Sequence, residues 1–324
     1  MAPSPPPFDA GSPARPFGRV LCAMVTPFGP DGALDHGAAA RLAVRLVEEG
    51  CDGLVLNGTT GESPTTTDAE KTALVRTVRA AVGDGVPLVA GVGSADTRHT
   101  VELARAAESA GADGLLVVTP YYSRPPRAAV AAHFRAVADA CGAPLLVYDI
   151  PGRTGTRVAP ETLLELADHP RIVGVKDCSY DPAGASDVMA ATDLAYYSGC
   201  DELHLPLYAL GAAGCISTVA NVAPGAVRAV RDAFDRGDRD EALRAHRRLG
   251  PLTRLMMRGE LPGSVTAKAL LGAGPVRAPL QSASRAEEAA LRAALDALVA
   301  GTGPGPGSAA APAPRPYADA AATA

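Results

Sequence analysis

The sequence contains no CxxC pair. Its six cysteines, Cys22, Cys51, Cys141, Cys178, Cys200 and Cys215, are scattered, and its six histidines are equally dispersed, so no zinc-ligand spacing is present. No basic run stands out and the net charge is only −5, which argues against a nucleic-acid surface. No apolar run approaches the ~18 residues that a membrane span requires. The opening stretch "MAPSPPPFDAGSPARPFG" has no apolar core, so it does not read as a secretory signal. These absences are those of a soluble cytoplasmic protein with reduced thiols. No GxGxxG follows the first apolar run, which weakens a doubly wound nucleotide-binding sheet. Aromatics make up 4% of the chain and only eight are tyrosines, so the adjacent pair Tyr121–Tyr122 stands out.

What the chain does have is a regular beat. Of its 324 residues 47% are hydrophobic, enough for a sizeable core. Eight short apolar runs appear between Val20–Val25 and Gly214–Thr218. Ala/Arg/Glu-rich stretches of helical periodicity separate them, such as "DAEKTALVRTVRAAV". Many of these begin after Asp or Thr and end at Gly. Eight strand-helix units in this order predict an α/β fold, a (β/α)8 TIM barrel over residues 19–236. Residues 237–300 read as a C-terminal helical extension of two or three helices. The Pro-rich stretch 1–18 and the Gly/Pro/Ala-rich stretch 301–324 read as tails too biased in composition to build a core.

In such a barrel chemistry gathers where the strands end. The second run ends in "NGTTGES" (Asn57–Ser63), whose turn glycines, backbone N–H groups and hydroxyls suit a small carboxylate. The fourth leads into "TPYYSRPP". The fifth ends "VYDIPGRTG", with Tyr148 at the strand end and Arg153 in the turn above it. The sixth, "IVGVKDCS", carries Lys176. Alone, that lysine would read as a strand-end residue facing solvent. Among phenols, hydroxyls and a guanidinium on one face, it reads instead as a desolvated amine able to attack a carbonyl and form a Schiff base.

Four segments carry a family resemblance: "GTTGES" at Gly58–Ser63, "VTPYYSRPP" at Val118–Pro126, "VYDIPGRTG" at Val147–Gly155 and "VGVKD" at Val173–Asp177. In order and spacing they resemble the pyruvate-dependent class I aldolase, or N-acetylneuraminate lyase, superfamily. Within it the chain is most similar to the dihydrodipicolinate synthase family, over roughly Gly18–Ala300. The resemblance implies a carbon-oxygen lyase that condenses pyruvate with L-aspartate 4-semialdehyde on the route to diaminopimelate and lysine, with no external cofactor and no metal. It implies Lys176 as the Schiff-base lysine, Tyr148 as the proton-transfer residue, and Thr59 as the hydroxyl relaying to a second tyrosine. Tyr122 would be that tyrosine, reaching into a neighbouring subunit. Thr60 would hold the pyruvate carboxylate, Arg153 the semialdehyde carboxylate, and Gly199 and Ile216 would line the pyruvate pocket. The implied partners are the two substrates and further copies of the chain, a tetramer built as a dimer of dimers, with no membrane and no nucleic acid.

Two departures from the family pattern are visible. Cys200 follows Gly199 where the family commonly has an acid; it reads as a small packing residue, with a reactive thiol as the alternative. Ala95 and His99 stand where lysine-inhibited members carry Asn and Glu, and Asp68 and Lys71 where some carry two histidines. The groups that would hold that effector are therefore expected to be missing. Two other readings stay open. One is a sister lyase accepting another aldehyde or 2-oxo acid, against which Arg153 speaks. The other is a metabolite-binding protein without activity, against which Lys176, Tyr148 and Thr59 speak.

Overall fold

The computed structural model describes residues 15–301. The compositionally biased stretches of the two ends lie largely outside the described residues. Eight parallel strands close on themselves: β1 (Val20–Ala23), β2 (Gly53–Leu56), β3 (Leu88–Gly91), β4 (Gly114–Val118), β5 (Leu145–Asp149), β6 (Ile172–Asp177), β7 (Ala195–Ser198) and β8 (Gly214–Ser217), with β8 pairing back to β1. Almost every strand residue is buried. A strand covered on both faces needs apolar side chains at successive positions, which is why each reads as an unbroken hydrophobic run.

The intervening helices start where the sequence supplies a cap. Asp35 accepts from the Ala38 N–H, Asp96 from the His99 N–H, and Thr67 forms a reciprocal capping box with Glu70. Their apolar faces pack on the outer face of the barrel in one continuous core. The helical region beyond the barrel consists of three helices, Arg239–Met257, Gly263–Leu271 and Arg285–Val299. Among the described residues no helix is long and apolar enough to cross a membrane.

A second core fills the barrel interior. It runs from Phe17 through Leu21, Val55, Val89, Leu116 and Leu146 up to Tyr148 and Ile216. Phe17 lies within the stretch that composition marked as a tail, yet it is buried. Its N–H donates to the Tyr197 hydroxyl at 3.2 Å, and that hydroxyl donates to the Gly18 carbonyl at 3.1 Å. A Cβ at Gly114 would come within 2.3 Å of the Phe17 ring, so β4 begins with the one residue that leaves room for it. Phe17 and Tyr197 thus close the N-terminal end of the barrel.

Candidate active site

Lys176 lies in register between Tyr148 on β5 and Tyr197 on β7. Its side chain points into the mouth and is 4% exposed, with Nζ 4.2 Å from the centre of the Tyr148 ring. Burial holds its ammonium below the ordinary lysine range, against the opposing pull of Cys178, Cys200 and Asp201, and Arg153 pushes the same way as burial. The structure answers what the sequence posed. This lysine stands in an apolar strand because it faces the mouth, with an aromatic ring beside its amine.

Tyr148 is equally buried, and loss of water pushes its phenol well above the usual range. Thr59, beside the phenol, offsets part of that rise. The Tyr148 carbonyl is held from β4 by both the N–H and the hydroxyl of Thr119, each at 3.2 Å. At neutral pH the residue is therefore a fixed, protonated phenol over the amine.

The loop after β2 is wound tightly, with Asn57 and Glu62 in the left-handed region at φ 56° and 59°. Gly61 and Ser63 donate to the Gly58 carbonyl and Glu62 to that of Thr59. The Thr59 and Thr60 N–H groups are left over as donors. Thr60 also meets the Thr218 hydroxyl at 3.0 Å, which ties the loop to the end of β8. Glu62 turns down into the protein. There it pairs with Lys268 and accepts from the Arg277 N–H at 2.9 Å. Lys268 and Arg277 lie over the Phe28 ring at 3.9 and 4.1 Å. The C-terminal region thus clamps the loop from below, through charges that the sequence reading did not single out.

Gly199 is required where it stands. A Cβ there would lie 2.4 Å from Cys178 Sγ and 3.1 Å from Lys176 Cε. Ile216 packs with Tyr148, Cys178 and Cys200 in the interior core. Cys200 is 5% exposed, and its contact with Cys178, with burial, raises its pKa well above the ordinary thiol value, the opposite of a reactive thiolate. Arg153 lies on a one-turn helix, Pro151–Thr154, in what the sequence suggested was a turn; it is exposed, yet near enough to act on both Lys176 and Tyr148.

Six of the sequence-predicted residues, Lys176, Tyr148, Thr59, Thr60, Gly199 and Ile216, thus meet at one mouth, with Arg153 at its rim. Tyr122 does not join them within the chain. It is 95% exposed with φ 73°. At the proposed effector positions, His99 Nε2 is 2.9 Å from Asp68, and Lys71 Nζ folds back onto the Thr66 carbonyl at 2.5 Å.

A closed (β/α)8 barrel with a lysine-bearing sixth strand is the architecture of the pyruvate-dependent class I aldolase superfamily. The sequence profile of the Dihydrodipicolinate synthetase family matches residues 16–298. The chain is 67% identical over 295 residues to 4-hydroxy-tetrahydrodipicolinate synthase 1 of Streptomyces coelicolor, an alignment covering 90% of this chain and 97% of the relative. It is 56% identical over 282 residues to 4-hydroxy-tetrahydrodipicolinate synthase of Acidothermus cellulolyticus, covering 86% and 91%. The crystal structure of DHDPS from Cyanidioschyzon merolae with lysine bound superposes with a TM-score of 0.84 at 39% identity, covering 87% of this chain and 98% of that one. The chain belongs to the dihydrodipicolinate synthetase family.

Proposed function

We propose that the chain is a Schiff-base lyase that condenses pyruvate with L-aspartate 4-semialdehyde to 4-hydroxy-tetrahydrodipicolinate. The observation that carries this reading is the buried Lys176 amine, its charge disfavoured by burial, beneath the Tyr148 phenol. The neutral amine attacks the keto carbon of pyruvate and water leaves, giving an iminium. That cation draws electrons from the methyl group, a methyl proton departs, and an enamine forms. The enamine carbon attacks the aldehyde, whose oxygen takes up a proton. The semialdehyde amine then closes the ring by displacing Lys176, which leaves as the free amine.

Protons must move at several of these steps, so a relay serves better than one fixed base. Tyr148 and Thr59 are two members of it. The third is Tyr122 of the partner subunit. An aromatic side chain 95% exposed on a loop with left-handed backbone is poorly served by water alone, and burial against a second copy would offset that cost. Thr60, with the loop N–H groups, holds the pyruvate carboxylate. Arg153 holds the semialdehyde carboxylate as a forked donor pair. Gly199 and Ile216 shape the pyruvate pocket. The high identity to relatives named as the synthase supports the aldehyde assignment, as does the carboxylate-binding chemistry of Arg153.

The test is borohydride reduction in the presence of pyruvate, followed by peptide mass mapping. A reduced pyruvyl adduct on Lys176 is expected; labelling elsewhere, or none, overturns the assignment. An aldehyde panel with wild type and Arg153→Ala then separates this reaction from that of a sister lyase. The variant should still form the imine while KM for aspartate semialdehyde rises.

A further inference from the structure

Asp201 starts the short turn after β7, and its side chain is 1% exposed. Its carboxylate gathers donors from the end of β8: the Thr218 N–H at 3.1 Å, the Val219 N–H at 3.3 Å and the Ser217 hydroxyl. His204 Nε2 lies 3.3 Å away, and the other ring nitrogen meets Ser198 Oγ at 2.8 Å. Burial works against a charged imidazole here, yet Cys215 and Asp201 beside it push His204 up to about 10. Burial likewise works against ionised Asp201, but His204 and the donors hold it below its ordinary value. Both side chains are fully enclosed.

Ser198, His204 and Asp201 have the residue types of an acyl-transfer triad. They are 0%, 5% and 5% exposed, and Ser198 donates to the Cys200 carbonyl at 3.2 Å. No carbonyl substrate reaches that hydroxyl, so this is no second catalytic site.

The cluster faces the active site through one contact. Thr218, whose N–H the Asp201 carboxylate holds, presents its hydroxyl to Thr60 at 3.0 Å. Asn221 fixes the same turn from the other side, donating to the Thr218 carbonyl at 2.9 Å and to that of Ala23 at 2.8 Å. A buried, multiply bonded carboxylate is a rigid anchor, because each donor it releases must be desolvated without a partner.

We propose that Asp201 is a positioning residue for the 2-oxo acid: through Thr218 it sets the Thr60 hydroxyl that grips the substrate carboxylate, without touching substrate itself. This rests on the pyruvate-condensing function proposed above. The test uses the full chain with three substitutions, Asp201→Asn, Thr218→Val and Thr218→Ser. Asp201→Asn and Thr218→Val should each raise KM for pyruvate roughly tenfold, the scale of one lost hydrogen bond to a charged group. KM for the aldehyde should stay within about twofold, and Thr218→Ser, which keeps the hydroxyl, should restore the pyruvate KM. Should Asp201→Asn fail to fold, the two Thr218 variants decide the question. A fall in turnover with an unchanged pyruvate KM in Thr218→Val marks a merely structural role and overturns the proposal. Absence of a pyruvyl adduct in wild type overturns the functional reading itself, and this positioning role with it.

Discussion

Replacing Lys268 by Met would strip the buried Glu62 of its counter-ion. The Glu62 side chain is 0% exposed and that of Lys268 2%. Met matches the length and volume of the lysine stem, so packing over Phe28 is kept and the charge alone is removed. What remains is a carboxylate held only by the Arg277 N–H. Breaking a buried pair by deleting one partner costs about 3–5 kcal/mol, because the surviving charge stays desolvated. Replacing both members by neutral groups of similar size is far milder. Lys268→Met should therefore lower Tm by roughly 6–20 °C, taking about 2–4 °C per kcal/mol for a large domain. The double variant Glu62→Gln/Lys268→Met should recover more than half of that loss. Glu62 also closes the loop that carries Thr59 and Thr60, so KM for pyruvate should rise in the single variant and fall back in the double. Differential scanning calorimetry and initial-rate kinetics on the four proteins complete the cycle. Additive losses, with the double variant worse than either single one, would refute the coupling.

Three further outcomes follow from the same structure. Gly199→Ala should fold but trap little pyruvate with borohydride, since its methyl would press on Cys178 Sγ and Lys176 Cε; adding Cys178→Ala should restore part of the trapping, and full activity in the single variant would contradict the geometry. Asp149, raised to about 7 chiefly by burial and further by Asp177, with the Val158 N–H and Arg157 opposing, binds a proton in the folded state that the unfolded chain releases near pH 4. Its contribution to stability therefore falls as pH rises from about 4 to 7, by up to about 4 kcal/mol. Asp149→Asn, which keeps an acceptor for the Val158 N–H, should gain on wild type in Tm between pH 5 and pH 8; a gap constant with pH would count against it. Finally, free lysine at millimolar levels should inhibit weakly. Ala95 offers no polar side chain, Asp68 is paired with His99, and Lys71 adds positive charge where an ammonium would sit. Half-inhibition well below a millimolar would show that other groups have rebuilt the effector site.

The barrel was legible because its strands are buried on both sides, so eight apolar runs announce themselves without any alternation to decode. Lys176 was legible for the converse reason: it breaks such a run. Tyr148, Thr59 and Arg153 followed from their places at strand ends. Glu62 was not legible. In "GTTGES" it has the look of a solvated turn acid, and one of its partners, Arg277, lies 215 positions away. Asp201 was hidden similarly, one residue beyond the Gly199–Cys200 pair that drew notice. Phe17 was masked by its Pro-rich surroundings, since composition averages over a window and cannot show one ring finding a pocket. The role proposed for Tyr122 lies between two copies of the chain, which no single-chain pattern encodes.

The floor formed by Phe17 and Tyr197 bears on the order of events in a catalytic cycle. With the lower end closed by Phe17 and Tyr197 and the interior filled by side chains, Lys176 is approached from the mouth. Under the proposed mechanism, pyruvate bonded to Lys176 occupies the bottom and the second substrate comes to rest on top of it. The ring-closed product, already displaced from the lysine, then departs through the same rim, so no fresh pyruvate can load from behind while product lingers. Double-reciprocal plots should accordingly be parallel, the kinetic sign of an enzyme that releases water and commits to its first substrate before the second arrives.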